Sequence, residues 1–333
     1  MVETYGIKKR GRYHERDHSV CQDAYKIVVK DNCVFAAVAD GVGSNTHSHI
    51  ASQLAVDEVT DYCAERMDES KTEEEILHII KEAFLSAKDK INLKAKEEKE
   101  KCPEEHQDYQ FHTTLSFGIY KEGKLYYGQS GDSGIFALTK NGSVKLVTMQ
   151  QRDNEGRVYP FAYGENYWQF GVFEEEVASV MLVTDGLLEA MTPKCLLLTK
   201  EKIYVAMACY FMDNAILQFP ENDVEQIKSS REKYVENVIA KEIYDDLTVA
   251  VVVDTKQEVS YKEASYYNIP DVIKEKYKEN ETCECQEVTE EIMNCPTESQ
   301  AEEKEPSMES VENTTGWPKF TMIKSVLQKL KRK

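Results

Sequence analysis

The chain is short of basic residues: 41 lysines and arginines face 60 aspartates and glutamates, a formal net charge of −19 over 333 residues. That deficit argues against a general nucleic-acid binder, whose footprint is basic. It suits a protein that holds cations or meets basic partners. No apolar run approaches the roughly 18 residues that mark a membrane span. The opening, MVETYGIKKRGRYHER, lacks the apolar stretch of a secretory signal. The nine cysteines are odd in number and scattered, which fits reduced cytosolic thiols better than a disulfide framework. Cys283-x-Cys285 with Cys295 is too sparse for a metal site. Internal repeats are missing as well. A cytoplasmic protein is expected, neither secreted nor membrane-spanning.

Hydrophobic residues still make up 41% of the chain, enough for a sizeable core. Charge is unevenly spread. Residues 256–312 hold 16 acids and six bases, residues 316–333 hold six bases and no acids, and residues 1–255 carry a net −15. Nearly all long apolar segments fall in 1–255, so the folded domain is expected to end near Asp254. The span 256–315 reads as an acidic, largely disordered linker, because 278–315 cannot bury enough apolar surface to offset its ordering entropy. Residues 316–333 read as a basic amphipathic C-terminal segment.

Within 1–255 the elements come in blocks. Ala24–Val29 and Cys33–Ala39, separated by Lys30-Asp31-Asn32, read as a hairpin. Ala51, Leu54, Ala55, Val59, Tyr62 and Cys63 share one face of a first helix. Ile76, Ile79, Ile80, Ala83, Phe84, Ala87 and Ile91 keep helical spacing through a second, and Thr72 with Glu75 forms its capping box. Strands are expected at His112–Tyr120, Lys124–Gln129, Gly134–Thr139 and Val144–Thr148, with Asn141-Gly142 as a hairpin turn. Val177–Thr184 is a further strand, a helical stretch covers about 200–243, and Leu247–Val253 closes the set. Hairpins dominate and βαβ alternation is absent. The sheets should be mostly antiparallel with helices packed outside.

Aspartates recur at the ends of these apolar strands. VFAAVADG ends in Asp40-Gly41, VMLVTDG ends in Asp185-Gly186, and Tyr244-Asp245-Asp246 opens LTVAVVV. Asp132 lies between two strands, and Gln22-Asp23 opens the first hairpin. A carboxylate at a core edge is costly alone, and a single one is usually a turn former or cap. Five such sites point instead to shared hard cations, and oxygen-only ligation favours Mg²⁺ or Mn²⁺ over zinc. Gly41, lacking a side chain, lets its carbonyl approach a metal.

In this order, Gln22-Asp23, Asp40-Gly41-Val42-Gly43, Gly131-Asp132-Ser133, Thr184-Asp185-Gly186 and Asp245-Asp246-Leu247-Thr248 resemble the metal-dependent protein phosphatases, the protein phosphatase 2C family. The resemblance covers roughly residues 6–254. Gly11-Arg12-Tyr13-His14 and Cys21-Gln22-Asp23-Ala24 bring it closest to a bacterial branch. It implies an α+β fold of four layers, αββα, with a central antiparallel β-sandwich flanked by helices. It implies two Mn²⁺ or Mg²⁺ ions in a cleft at one end of the sandwich. Asp40 would bridge both, the Gly41 carbonyl would bind one, and Asp185 and Asp245 would hold the other. Asp23 would order metal-bound water, and Asp132 with Asp185 would match the weaker third-metal position of some members. The implied catalytic residues are thus Asp23, Asp40, Asp185 and Asp245. The implied reaction is hydrolysis of phosphoserine or phosphothreonine in a phosphorylated protein, through water or hydroxide bridging the two ions, without a phosphoenzyme. Cys21 and Cys33 read as buried small residues rather than nucleophiles.

Three positions depart from the family pattern. Gln22 stands where many members carry Glu, Val42 where the eukaryotic enzymes carry a candidate general-acid His, and His18 where the phosphate-binding Arg usually lies. Arg12, His14 and Arg16 are candidates for the missing phosphate-binding charge, Arg being suited to bidentate contact. His14 reads equally as a hydrogen-bonded strand residue. His47 and His49 read as the start and cap region of the first helix. Gln151–Phe170 is expected as a turn-rich loop beside the cleft, and a helical insertion between Asp185 and Asp245 as a substrate-selecting flap. The departures keep a second function open, a catalytically inactive phosphatase-like binding module. A third, an unrelated di-metal hydrolase of small phosphate esters, fits the motif order least. In the tail, Phe320, Ile323, Leu327 and Leu330 recur at heptad-like spacing opposite lysines. That pattern suits peripheral contact with an anionic membrane or an acidic partner, or a solvated tail folding back on the acidic domain. Trp317 and Phe320, otherwise exposed, favour the contact.

Overall fold

The computed structural model describes residues 1–101, 111–196, 199, 202–213, 217 and 223–275. The amphipathic segment 316–333 and most of the expected linker lie outside these residues. The strands are β1 (Val2–Lys9), β2 (Ala24–Lys30), β3 (Cys33–Ala39), β4 (Leu115–Lys121), β5 (Lys124–Ser130), β6 (Gly134–Thr139), β7 (Val144–Leu146), β8 (Gln169–Phe173), β9 (Val177–Val183) and β10 (Leu247–Asp254). The helices are α1 (Arg12–Arg16), α2 (Ser48–Arg66), α3 (Glu73–Lys101), α4 (Asp185–Met191), α5 (Val205–Met212) and α6 (Val224–Tyr234). One sheet has the order β1-β10-β9-β6-β7 and the other β2-β3-β4-β5-β8. Every pairing is antiparallel.

The strand sequences explain the layering. β3, β9 and β10 are buried along their whole length, which demands apolar side chains on both faces. In β3, the odd residues Phe35, Ala37 and Ala39 pack under α2 and α3, while Val34, Ala36 and Val38 face the opposite sheet. In β10, Val249, Val251 and Val253 pack with α4, α5 and α6, while Ala250 and Val252 meet the inter-sheet layer. Three apolar layers follow: one between the sheets and one under each helical face. This is the α+β sandwich in four layers, helices outside two antiparallel sheets.

The expected elements appear with small shifts. The Thr72 amide donates to Glu75 Oε2 at 2.8 Å and the Glu75 amide to Thr72 Oγ1 at 3.3 Å, the reciprocal pair of the capping box. His47 occupies the N-cap position of α2. Four features differ from expectation. β1 and β8 are strands where none was foreseen, both at or near sheet edges with much of their length half-exposed. His14 lies in the short helix α1 and not in a strand. Among its described residues the stretch 200–243 is broken into α5 and a second run in which α6 continues through a π-turn over Val235–Ile239 to Ala240–Glu242. Finally, packing runs past Asp254: Tyr267 and Ile273 are each 3% exposed and join the core under the first sheet, and Tyr267 Oη donates to the Gly142 carbonyl at 2.7 Å.

Candidate metal centre

Strand register brings the acids together. Val38 pairs with Ser116, Leu115 with Ser130, Gly134 with Val183 and Val249 with Val183. The start of β2, the end of β3, the end of β5, the start of β6, the end of β9 and the start of β10 therefore all sit at one end of the sandwich. Asp23, Asp40, Asp132, Asp185 and Asp245 flank those strand ends, as the sequence pattern expects.

Hydroxyls and backbone groups hold the acids in place. Thr114 Oγ1 accepts from the Asp40 amide at 3.0 Å, and the Asp40 carbonyl accepts from the Thr114 amide at 2.7 Å. Thr184 Oγ1 donates to Asp23 Oδ2 at 2.7 Å and accepts from the Thr248 amide at 3.1 Å, linking the two sheets. Gly41 is required by crowding: a Cβ there would lie 2.8 Å from both the Gln22 carbonyl oxygen and Ser48 Cβ.

One carboxylate oxygen from each of Asp40, Asp132 and Asp185 lies within 4.8 Å of the others. Withdrawal from water, then Asp185, Asp23, Asp245 and Asp132 in turn, hold the Asp40 carboxyl well above the usual carboxylate range. Asp40 is thus the point on which the fields of the other four converge. Burial first, then Asp132 and Asp245, push Asp185 up to about 7. Burial and the neighbouring Asp246 raise Asp23. Burial likewise raises Asp245 and Asp132, against the lowering pull of Arg152 on Asp132. Asp23 Oδ1 and Asp132 Oδ1 are buried without a hydrogen-bond partner. Clustered oxygens of one sign, partly unpartnered and costly to ionise, fit a hard divalent cation. Burial pushes the Cys21 thiol up, as it does Cys33, so neither is an activated nucleophile.

The candidate phosphate-binding residues Arg12, His14 and Arg16 all lie on α1. Arg12 Nη1 donates to the Lys241 carbonyl at 2.9 Å and its guanidinium lies 4.4 Å from the centre of the Tyr244 ring. His14 Nδ1 lies 2.9 Å from Asp246 Oδ1, and Arg16 sits exposed at the end of α1. None of the three lies among the clustered Asp40, Asp132 and Asp185 oxygens.

Two residues that carry the local geometry escaped sequence reasoning. Arg152 Nη2 lies 2.6 Å from Asp132 Oδ2 and 3.4 Å from Asp185 Oδ2. Its only advance signal was a cation in the turn-rich segment expected to border the cleft. Asp246 is the other: 2% exposed, it accepts from the Gly11 amide through Oδ1 and from the Gln22 amide through Oδ2, both at 2.6 Å. Its adjacency to Asp245 marked it as part of a motif but gave it no task. Beside the cluster opens a cleft of about 930 Å³, lined in part by Lys145, Arg152, Asp185, Glu189, Lys194 and Asp245.

Comparison with known proteins agrees with this fold. A family model described as Protein phosphatase 2C matches residues 10–208. No curated protein matches. Among solved structures, an S. agalactiae serine/threonine phosphatase superposes with a TM-score of 0.53 at 16% identity, covering 76% of this chain and 100% of its own. A Mycobacterium tuberculosis serine/threonine phosphatase gives 0.52 at 18%, covering 76% and 98%. One from Staphylococcus aureus gives 0.51 at 14%, covering 76% and 95%. At these identities the likeness is one of fold.

Proposed function

The chain belongs to the protein phosphatase 2C family, and on that premise we propose that it is a metal-dependent protein serine/threonine phosphatase. The observation that carries the reading is the convergence of four carboxylates on Asp40 at one end of the sandwich. Asp40, Asp185 and Asp245, with the Gly41 carbonyl, would hold two Mn²⁺ or Mg²⁺ ions. When bound, such ions neutralise phosphate charge and make water a stronger acid near neutral pH. The remaining work falls to the chain. Asp23, its Oδ2 fixed by the Thr184 hydroxyl, presents Oδ1 to order water and accept a proton. The cleft beside Asp185, with Lys145 and Lys194 in its wall, offers positive charge to the phosphorylated segment of a protein substrate. No side-chain nucleophile takes part, so no phosphoenzyme forms. We place the protein in the cytoplasm, and the basic segment 316–333 in peripheral contact with an anionic membrane or acidic partner.

The test is phosphopeptide hydrolysis with Mn²⁺ by the wild type, Asp40→Asn and Asp185→Asn. Metal-dependent turnover abolished by both substitutions is expected. Turnover that survives Asp40→Asn would overturn the assignment. Tight phosphoprotein binding without any turnover would favour the inactive binding module.

A further inference from the structure

The Asp132–Asp185 pair is where some family members hold a third ion, yet here a side chain is already seated on it. We propose that the Arg152 guanidinium is the resident cation of this pair, so that the chain holds two divalent ions and excludes a third. The inference rests on the two-ion reading above and concerns only the position beside it.

Three observations converge. First, Asp132 is 3% exposed, and its Oδ2 lies 2.6 Å from Arg152 Nη2, the short contact of a charge-assisted bond. Its Oδ1 is buried and unpartnered, so Asp132 has no other source of neutralisation among the contacts described for it. Second, the same nitrogen reaches Asp185 Oδ2 at 3.4 Å. One donor atom thus spans the two carboxylates that an ion would bridge. Third, the backbone that delivers Arg152 is tied to the loop that delivers Asp132. The Gln151 amide donates to the Gly131 carbonyl at 3.0 Å, and the Gly131 amide donates to Gln151 Oε1 at 2.9 Å. Gln150 Nε2 donates to the Asp132 carbonyl at 3.0 Å. On the far side, Arg152 bridges Val158 and the Tyr159 amide donates to the Gln151 carbonyl at 3.2 Å. The Arg152 backbone is therefore held beside the Asp132 loop, so its half-exposed side chain has only its own rotamers to order when it reaches the two carboxylates.

The chemistry differs from that of an ion. A guanidinium stays charged throughout the physiological range, so Asp132 is neutralised at any metal concentration. A divalent ion bridging the same oxygens would meet that fixed positive charge at contact distance. Only displacement of Arg152 would make room for it.

Isothermal titration of the metal-free full chain with Mn²⁺ counts the ions. The wild type should bind two, Arg152→Gln should bind a third, weaker ion, and Arg152→Gln/Asp132→Asn should return to two. Asp132→Asn alone should leave the count at two, because the two-ion reading assigns the ions to Asp40, Gly41, Asp185 and Asp245. Far-UV circular dichroism verifies that each variant is folded, and Arg152→Ala replaces Arg152→Gln if it is not. Three ions on the wild type, no gain in Arg152→Gln, or a loss in Asp132→Asn would each overturn the inference while leaving the two-ion centre standing. No binding to the wild type would overturn the two-ion reading itself, and this inference with it.

Discussion

Asp185→Asn is expected to stabilise the metal-free protein at neutral pH while removing its response to metal. The carboxyl of Asp185 is raised from its ordinary 3.8 to about 7 by burial and by Asp132 and Asp245. Below pH 3.8 the folded and unfolded chains both hold this proton. Between 3.8 and about 7 the folded chain keeps the proton and the unfolded chain releases it, so stability falls as pH rises. Above pH 7 the loss is complete and amounts to about 4 kcal/mol, at about 1.4 kcal/mol per pH unit. Asparagine cannot ionise and escapes this loss, giving up only the half-exposed contact to Arg152, worth about 0–1 kcal/mol. For a domain of this size each kcal/mol moves the melting midpoint by roughly 2–4 °C. Differential scanning fluorimetry in chelator should therefore place Asp185→Asn several degrees above wild type at pH 8 and close to it at pH 4. Excess Mn²⁺ should reverse the order, since each of two ions at a hundredfold its Kd adds about 2.7 kcal/mol to the protein that binds it, about 5 kcal/mol together. Parallel pH curves for the two proteins would refute the reasoning, as would a variant that still melts higher with Mn²⁺.

Asp246→Asn should be destabilising by about 1–3 kcal/mol in a urea titration, because two backbone amides point at its two oxygens and an amide nitrogen would face one of them donor to donor; an unchanged midpoint would remove Asp246 from its positioning role. Removal of residues 316–333 should abolish flotation with anionic liposomes and leave phosphopeptide turnover intact; equal flotation with and without the segment ends the tethering proposal.

The legible parts of the fold were those whose energetics are local or uniform. β3, β9 and β10 lie between layers, so both faces are apolar and each reads as an unbroken run. Thr72 and Glu75 lie three residues apart and bond across one helical turn. By contrast, β1 mixes charged and apolar residues because only its middle is buried. β8 is half-exposed throughout, and its first two residues fall in the segment 151–170 that reads as a turn-rich loop. At the site, aspartates at strand ends were visible because a carboxylate beside a core strand is unusual. Arg152 was not visible, since its partners lie 20 and 33 positions away and no spacing rule encodes an ion pair across loops. His18 stands where the family's arginine usually lies; Arg12 and Arg16 are its neighbours in sequence, whereas Arg152, far away in sequence, is the cation in contact with Asp132 and Asp185.

The pairing of β1 with β10 joins Val2 to Asp254, and this has a bearing on synthesis. A chain emerging from the ribosome exposes its first strand long before the partner strand exists. β10 inserts between β1 and β9, so that sheet stays split until about 250 residues have been made. Asp245 and Asp246 arrive in the same late stretch. On the two-ion proposal a nascent fragment would lack a complete metal site, because Asp245 and the strand that closes the sheet are translated together.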